Sequence, residues 1–243
     1  PAPCPPTRAR PKRLSVTEIK TLVRNRYAIY AKHVLRRRAL NPLMRAPDAL
    51  LRGIVLHKVF EEFVKASVAD PANLNRDTLL QIAKTVLEDE VAWPDMRLMW
   101  QARIMRVADW FIAAEQDRQQ FATPIGFEIK GQTDLPDLGF TLSGTADRID
   151  RDAKGNLHIY DYKTGSLPTP AQQKHFDKQL LLEAAIAELS GFADLGPMTV
   201  AAATYIGVGT KPDEKQAPLE DEPIGKIMQV TVGFYHLRAW AQH

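Results

Sequence analysis

Cysteine is almost absent from this sequence, which holds a single one, Cys4, among its 243 residues. One cysteine excludes a disulfide and a cysteine-ligated iron–sulfur cluster within the chain, and we expect a cytoplasmic protein. No apolar run approaches the roughly 20 residues that a membrane-spanning helix needs, so no membrane partner is expected. The proline-rich, basic first residues do not predict a signal peptide.

The balance of charge is small overall but unevenly distributed. The net charge is +3, with 45% hydrophobic and 25% charged residues, which is ordinary globular composition. Residues 1–50 hold twelve Lys or Arg and two Asp or Glu. The remaining residues hold 20 Lys or Arg and 27 Asp or Glu. A basic arm on a mildly acidic body favours a polyanionic partner at that end. A solubilising tail with a solvated helix face is the alternative.

The pattern of the chain divides it into three parts within one compact domain. Residues 1–13 are rich in Pro, Arg and Lys without periodicity, which predicts a disordered linker or tail. Because the sequence starts on Pro rather than Met, we expect a segment of a longer polypeptide. Residues 14–123 have helical periodicity, and residues 124–243 contain strand-like alternation. This order predicts an α/β fold with a central mixed sheet flanked by helices and a helical N-terminal extension.

Helices are predicted throughout the first half of the chain. A Ser15-x-x-Glu18 capping box marks the start of the first helix. The longest apolar stripe predicts a helix that carries His57 and Glu61 on one face, four residues apart. The predicted helices run from residue 15 onwards and over residues 27–38, 50–68, 74–91 and 95–120.

Strands dominate the predictions for the second half. Alternating apolar residues, turn residues and prolines define them. The predicted elements are strands over residues 124–132, 142–149, 157–163, 198–208 and 224–234, a helix over residues 172–189 and a mobile loop over residues 209–223. The helices of residues 50–120 are expected to cover one side of the resulting sheet.

Two of these strands form a predicted hairpin that gathers acids and a lysine. Asp161 and Lys163 lie two residues apart on one strand and therefore share a face, while Asp147 lies on the neighbouring strand. Such groups are costly to bury without partners. Two carboxylates beside an ammonium group favour a hard divalent cation. Taken alone, the pattern also fits a surface ion pair.

Four motifs in one order resemble the RecB-like branch of the PD-(D/E)xK nuclease superfamily. They are Gly-x-x-x-His-x-x-x-Glu at residues 53–61, Gly-Thr-Ala-Asp-Arg-Ile-Asp at 144–150, Asp-Tyr-Lys-Thr-Gly at 161–165 and Gln179 of a Gln-x-x-x-Tyr motif. The resemblance extends over residues 14–235 and implies a restriction-endonuclease-like core. The sequence departs from the family pattern at Glu183, which stands in place of the motif tyrosine. It departs again at Arg26-Tyr27, where relatives with an iron–sulfur cluster have Cys-Pro.

The resemblance implies a role for each motif residue in Mg²⁺- or Mn²⁺-dependent phosphodiester hydrolysis. The implied metal ligands are His57, Asp147, Asp161 and the backbone carbonyl of Tyr162. The implied catalytic residues are Asp147, Asp161, Lys163 and Gln179, with Glu61 orienting His57. The implied phosphate contacts are Arg24, Arg26, Arg36, Arg37 and Arg38. For Asp150 and Glu128 we expect structural ion pairs, and the alternative is that they support the metal ligands from outside.

The resemblance also implies a biological setting. Residues 14–20 and the region after them resemble the C-terminal nuclease domain of the AddB family. Its members are subunits of AddAB helicase–nucleases, which process broken DNA ends for recombinational repair. DNA and an AddA-like helicase–nuclease subunit are then the expected partners. One alternative is a non-catalytic nucleic-acid-binding or subunit-docking module with a degenerate nuclease fold. A second is a structural α/β domain whose acid–lysine pairs are only salt bridges.

Overall fold

The computed structural model describes residues 5–38, 40 and 46–219, and in this part of the chain helices flank a six-stranded mixed sheet. The strands are β1 (Arg13–Ser15), β2 (Ala122–Leu135), β3 (Phe140–Asp152), β4 (Leu157–Lys163), β5 (Val200–Gly207) and β6 (Asp213–Gln216). The α-helices are α1 (Val16–Arg24), α2 (Arg26–Ile29), α3 (Ala49–Ala69), α4 (Arg76–Glu90), α5 (Pro94–Phe121), α6 (Pro170–His175) and α7 (Gln179–Leu189). None of these helices has the length and apolar character that crossing a membrane requires.

Strand β3 is the centre of the sheet and has three neighbours. Along one edge it pairs antiparallel with β2 over its whole length. Along the other edge it pairs with β1, in parallel, only as far as Ser143, and with β4, antiparallel, only from Arg148 onwards. Beyond β4 the sheet continues with β5 in parallel and β6 antiparallel. Residues 144–147 of β3 therefore lie at a fork where β1 and β4 diverge.

Each face of the sheet has its own hydrophobic core. Leu157 and Ile159 of β4 pack with α1 and α7 on one face. Tyr160 and Tyr162, which alternate with them, pack with α3, α4 and α5 on the other. The predicted architecture is thus confirmed, including the helices of residues 50–120 on one side of the sheet.

Several predicted elements are confirmed closely. The Ser15 hydroxyl accepts the Glu18 N–H at 3.2 Å, and the Glu18 carboxylate accepts the Ser15 N–H at 2.9 Å, so the capping box starts α1. The helix predicted over residues 50–68 is α3, and the hairpin turn at residues 152–156 joins β3 to β4.

Other predicted elements need correction. The helix predicted over residues 172–189 is two helices, because the Asp177 carboxylate between them bonds Lys20 at 2.5 Å and the Tyr205 hydroxyl at 3.1 Å. The stretch predicted over residues 27–38 is α2 followed by a π-helical turn, Tyr30–Val34.

The sheet also contains two short strands that the sequence patterns did not indicate. Strand β6 lies in the segment predicted as a mobile loop; its Asp-Glu-Lys-Gln sequence is polar throughout, which suits an exposed edge strand. The three residues of β1 are too few to show any period. The strand predicted over residues 224–234 lies outside the described residues.

A buried ionic network ties the sheet to α5 behind the fork. The guanidinium of Arg148, fully buried, donates to both carboxylate oxygens of Asp150 at 2.6 Å and to Glu115 at 2.7 Å. Glu115 also accepts from Arg118 at 3.0 Å. The bidentate geometry satisfies charges that would otherwise be expensive to bury.

Breaking this network should destabilise the fold strongly. We expect Arg148→Met to lower the free energy of unfolding by about 3–5 kcal/mol, because it leaves buried carboxylates without their cation. The matched control is Arg151→Met, three residues along the same strand but exposed, for which a change within about 0.5 kcal/mol is expected. Urea titration of both variants measures the difference, and similar losses in the two would contradict the structural role of Arg148.

Candidate functional site

At the fork in the sheet, a hydrogen bond to a side chain replaces the next backbone hydrogen bond between β3 and β4. The pairing of β3 with β4 ends at Arg148 and Tyr160. One step further, the Asp147 carboxylate accepts the backbone N–H of Tyr162 at 2.8 Å. The Tyr162 carbonyl faces His57 of α3, whose Nε2 lies 2.6 Å away. Side chains from α3 and β3 thus meet the backbone of β4 at one point.

His57 is positioned on two sides at the fork. Its Nδ1 lies 3.4 Å from the Asp147 carboxylate, and its ring packs edge-on against the Tyr162 ring. Burial lowers the pKa of His57 despite the nearby charge of Asp161, which favours the neutral imidazole that can bind a metal. Glu61 bonds Lys65 at 2.6 Å and lines the same 610 Å³ cavity as His57. Its predicted role in orienting His57 stays a prediction.

Asp161 and Lys163 form the second half of the site, together with α7. The Lys163 ammonium lies 2.6 Å from one carboxylate oxygen of Asp161 and 2.9 Å from the other. It also donates to the side-chain carbonyl oxygen of Gln179 at 3.1 Å. The Gln179 amide in turn donates to Asp161. Burial disfavours the ammonium ion, but the Asp161 carboxylate outweighs it and raises the pKa of Lys163. Lys163 is therefore a held, protonated lysine.

Glu183, which stands at the position of the family's motif tyrosine, is a buried part of this site. It accepts from the Gln179 amide at 3.2 Å, and its other oxygen has no hydrogen-bond partner among the described residues. Burial and the charge of Asp161 raise the pKa of Glu183 well above the ordinary value. Glutamate at position 183, in place of the motif tyrosine, therefore adds an acidic group to the site.

Glu128 of β2, for which a structural ion pair was expected and a supporting place at the site was the alternative, lies beside His57 and Asp147. It forms no ion pair among the described residues, and its φ of +50° is unusual inside a strand. Donor atoms of Glu128, His57 and Asp147 all lie within 4.8 Å of one another. No sequence spacing identifies Glu128, because its carboxylate reaches His57 and Asp147 only through the local distortion of β2.

The electrostatic balance of the site favours a bound cation. Burial and the neighbouring Asp161 raise the pKa of Asp147 to about 8. Burial and the charge of Glu61 raise the pKa of Glu128. These carboxylates repel one another because they carry like charges, and the single positive charge of Lys163 does not offset this repulsion. An imidazole nitrogen with several carboxylate oxygens is a donor set that fits Mg²⁺ or Mn²⁺.

The arginines predicted to contact phosphates lie in the N-terminal region. Arg24 is exposed on α1, with its guanidinium 5.8 Å from the centre of the Phe176 ring. Arg26 is half-buried, and Arg36, Arg37 and Arg38 are exposed after the π-helical turn. Their contact with a nucleic acid stays a prediction.

Comparison with known proteins identifies a family. A profile of the PD-(D/E)XK nuclease superfamily matches residues 13–242. The chain is 33% identical over 187 residues to an uncharacterized protein of Rickettsia bellii, and 31% identical over 197 residues to the uncharacterized protein RC0550 of Rickettsia conorii. Among solved structures, that of SSO0001 matches with 14% identity and a TM-score of 0.31, over 90% of this chain and 85% of that one.

The curated relatives are much longer than this chain. The two matches cover 75% and 78% of this chain but only 22% and 24% of the Rickettsia proteins. The chain therefore spans about a quarter of the length of the relatives it matches.

The raised pKa of Asp147 predicts an unusual dependence of stability on pH. Between an ordinary carboxyl pKa of 3.8 and about 8, the folded metal-free protein holds a proton that the unfolded chain has released. Its free energy of unfolding should therefore fall as the pH rises through this range. Asp147→Asn removes this contribution, so its fall between pH 5 and pH 8 should be smaller.

Urea titrations in EDTA at several pH values measure this slope. Asp134→Asn, an exposed carboxylate on β2, is the control and should keep the wild-type slope. Equal slopes for wild type and Asp147→Asn would show that the site carboxylate is ionised in the folded state.

Proposed function

The chain belongs to the PD-(D/E)XK nuclease superfamily, and we propose that it is a Mg²⁺- or Mn²⁺-dependent deoxyribonuclease of exonuclease type. The observation that supports this most is the meeting of His57, Asp147, Asp161 and Lys163 at the fork between β1 and β4. The site combines an excess of carboxylate with one fixed cation. That is the requirement for holding a divalent metal beside a phosphodiester.

In this proposal His57, Asp147, Asp161 and the Tyr162 carbonyl hold the metal, and Glu128 is an additional ligand. The distances between the donor atoms of His57, Glu128 and Asp147 support the addition. When bound, the metal lowers the pKa of a water molecule and offsets the charge that develops on the phosphate. Asp147 also keeps Tyr162 in place, since it accepts that residue's N–H.

Lys163 has the role of orienting the attacking water and stabilising negative charge at the phosphate. Its ammonium ion is protonated in the metal-free site and is fixed by Asp161 and Gln179. Gln179 is fixed in turn by Glu183. This chain of contacts holds the lysine in one orientation, which is the contribution expected of Gln179.

We further propose that the domain acts within an AddAB-type helicase–nuclease that processes double-strand break ends for recombinational repair. Two observations support this setting: the four motifs of the RecB-like branch, and the much greater length of the Rickettsia relatives. An AddA-like subunit would then deliver the DNA strand to the site, in the cytoplasm.

Cleavage of end-labelled single-stranded DNA tests the nuclease. We expect wild type to cut with Mg²⁺ or Mn²⁺ and not with EDTA. Asp161→Ala and Lys163→Ala should each lower the rate at least about 100-fold, because each removes a group that acts on the transition state. The matched controls Asp137→Ala and Lys154→Ala, both exposed, should cut at the wild-type rate.

The negative outcomes of this assay are also informative. A wild type that binds the metal without cutting would point to a requirement for the helicase subunit. A wild type that neither cuts DNA nor binds metal would refute the nuclease and favour the binding or docking module.

Metal-dependent thermal stability tests the role of Glu128 separately from cleavage. A non-glycine residue at positive φ costs roughly 1–2 kcal/mol, so Glu128→Gly should raise the melting temperature in EDTA by relieving this strain. The same variant should show a smaller rise in melting temperature on addition of Mn²⁺, because one metal ligand has been removed. Glu128→Gln should show the smaller rise while keeping the strain.

Glu62→Gln is the control for this pair of variants. Glu62 lines the same cavity from α3 but lies outside the group of donor atoms, so its response to Mn²⁺ should match that of wild type. A wild-type response in both Glu128 variants would exclude this residue as a ligand.

A further inference from the structure

A second cavity, of 540 Å³, adjoins the loop that follows β4, and its charged lining residues are mainly positive. Four cationic side chains from three parts of the fold contribute to it. They are Arg52 of α3, Arg103 of α5, Lys211 before β6 and Lys215 on β6. Asp213 is the one carboxylate residue among those that line this cavity. The excess of positive charge is therefore local, since the body of the chain is mildly acidic.

The four cations have no carboxylate partner within the described ranges. Asp213 accepts a hydrogen bond from the N–H of Glu214 at 2.9 Å and forms no ion pair with them. Among the described residues, the one hydrogen bond that Arg103 donates goes to the Thr210 hydroxyl, at 3.3 Å. The Nε of Arg52 is buried and lacks any hydrogen-bond partner in this part of the structure. The guanidinium groups of Arg52 and Arg103 therefore have N–H donors available for an anion.

Holding these cations together is unfavourable without an anion. Partial burial and the neighbouring guanidinium groups of Arg52 and Arg106 lower the pKa of Arg103. The second of these causes is repulsion between like charges. A phosphate placed among them would relieve the repulsion and accept charge-assisted hydrogen bonds.

The cavity lies next to the proposed catalytic site along two elements. Thr164 and Gly165, which line the cavity, directly follow Lys163. Helix α3 presents Arg52 to the cavity and His57, five residues further on, to the fork. The same helix lies against the loop, since a Cβ built on Gly53 would be 3.9 Å from the Thr164 hydroxyl oxygen. A strand bound at the fork therefore has this cavity as an immediate neighbour.

We propose that this cavity binds a backbone phosphate of the DNA strand, next to the phosphate that is cut. The proposal rests on the proposed function, because it takes the strand at the fork as given. Contacts of this kind are made to phosphate oxygens and read no base. They would fix the position of the strand relative to Lys163, which is a requirement for in-line attack.

Binding of a fluorescent single-stranded oligonucleotide in EDTA tests the cavity without cleavage. The test variant is Arg103→Ala with Lys215→Ala, and Lys211→Ala alone is a second variant. The matched control is Arg151→Ala with Lys154→Ala, which removes the same charges at the far end of the β3–β4 hairpin. Melting temperatures of all variants verify folding.

The expected result is selective for the cavity. The double cavity variant should bind at least about tenfold more weakly at moderate salt, and Lys211→Ala should show a smaller decrease in affinity. The slope of log affinity against log salt should become shallower by about 0.7 for each phosphate that the variant no longer neutralises. The hairpin control should keep both the affinity and the slope of wild type. Equal decreases in the cavity and hairpin variants would overturn the proposal, because they would report only a change in net charge.

Oligonucleotides with one neutral methylphosphonate linkage locate the contact. Moving that linkage along the strand should reveal, for wild type and the hairpin control, a position beside the cut where binding or cleavage is weakened. The double cavity variant should be insensitive at that position. Sensitivity that is unchanged in this variant would overturn the proposal.

Two further outcomes separate the proposal from the nuclease itself. Metal-dependent cutting by wild type, together with wild-type affinity in every cavity variant, would refute the phosphate site and leave the nuclease intact. Stabilisation of wild type, but not of the cavity variants, by inorganic phosphate alone, with unchanged oligonucleotide binding, would assign the cavity to a small free anion and also overturn the proposal.

Discussion

The hydrogen bond from the Tyr162 N–H to the Asp147 carboxylate is the contact on which this structure depends. It lies where β3 loses β4 as a ladder partner, so a side chain continues the connection that the backbone ends. As a result the strands can diverge without leaving the Tyr162 N–H unsatisfied inside the protein. The opening between them brings a carbonyl, a carboxylate and an imidazole to one point. The architecture of the sheet and the donor set of the site therefore have the same origin.

Because side chains alternate along β3, its candidate site residue and its structural ionic network lie on opposite faces of the sheet. Asp147 faces the fork, whereas Arg148 and Asp150 point to the opposite face and form the ionic network with Glu115. Arg148 also lies 3.4 Å from the hydroxyl of Tyr162, the residue whose backbone contacts both Asp147 and His57. The network thus restrains Tyr162 from behind, at its ring, while the site uses its backbone.

The sequence predicts the parts of this site that have a regular spacing. Asp161 and Lys163 share a strand face, and His57 lies on an amphipathic helix, so periodicity alone gives their orientation. Glu128 could not be assigned in this way, because a positive φ inside β2 determines where its carboxylate points. The break between α6 and α7 was equally inaccessible, since it depends on the distant partners of Asp177, Lys20 and Tyr205. Short elements such as β1 exist only through their pairing with β3.

The raised pKa of Asp147 means that filling the site is an exchange of ions. Near neutral pH the metal-free site retains a proton at the Asp147 carboxylate, and a divalent metal held there, as proposed above, would displace that proton. The net gain of positive charge is then smaller than the charge of the metal itself. In the proposed function, the charge that an approaching DNA strand meets at Asp147 therefore changes by less than the full charge of the metal. The proposed function therefore requires no fixed order between the binding of DNA and the binding of the metal.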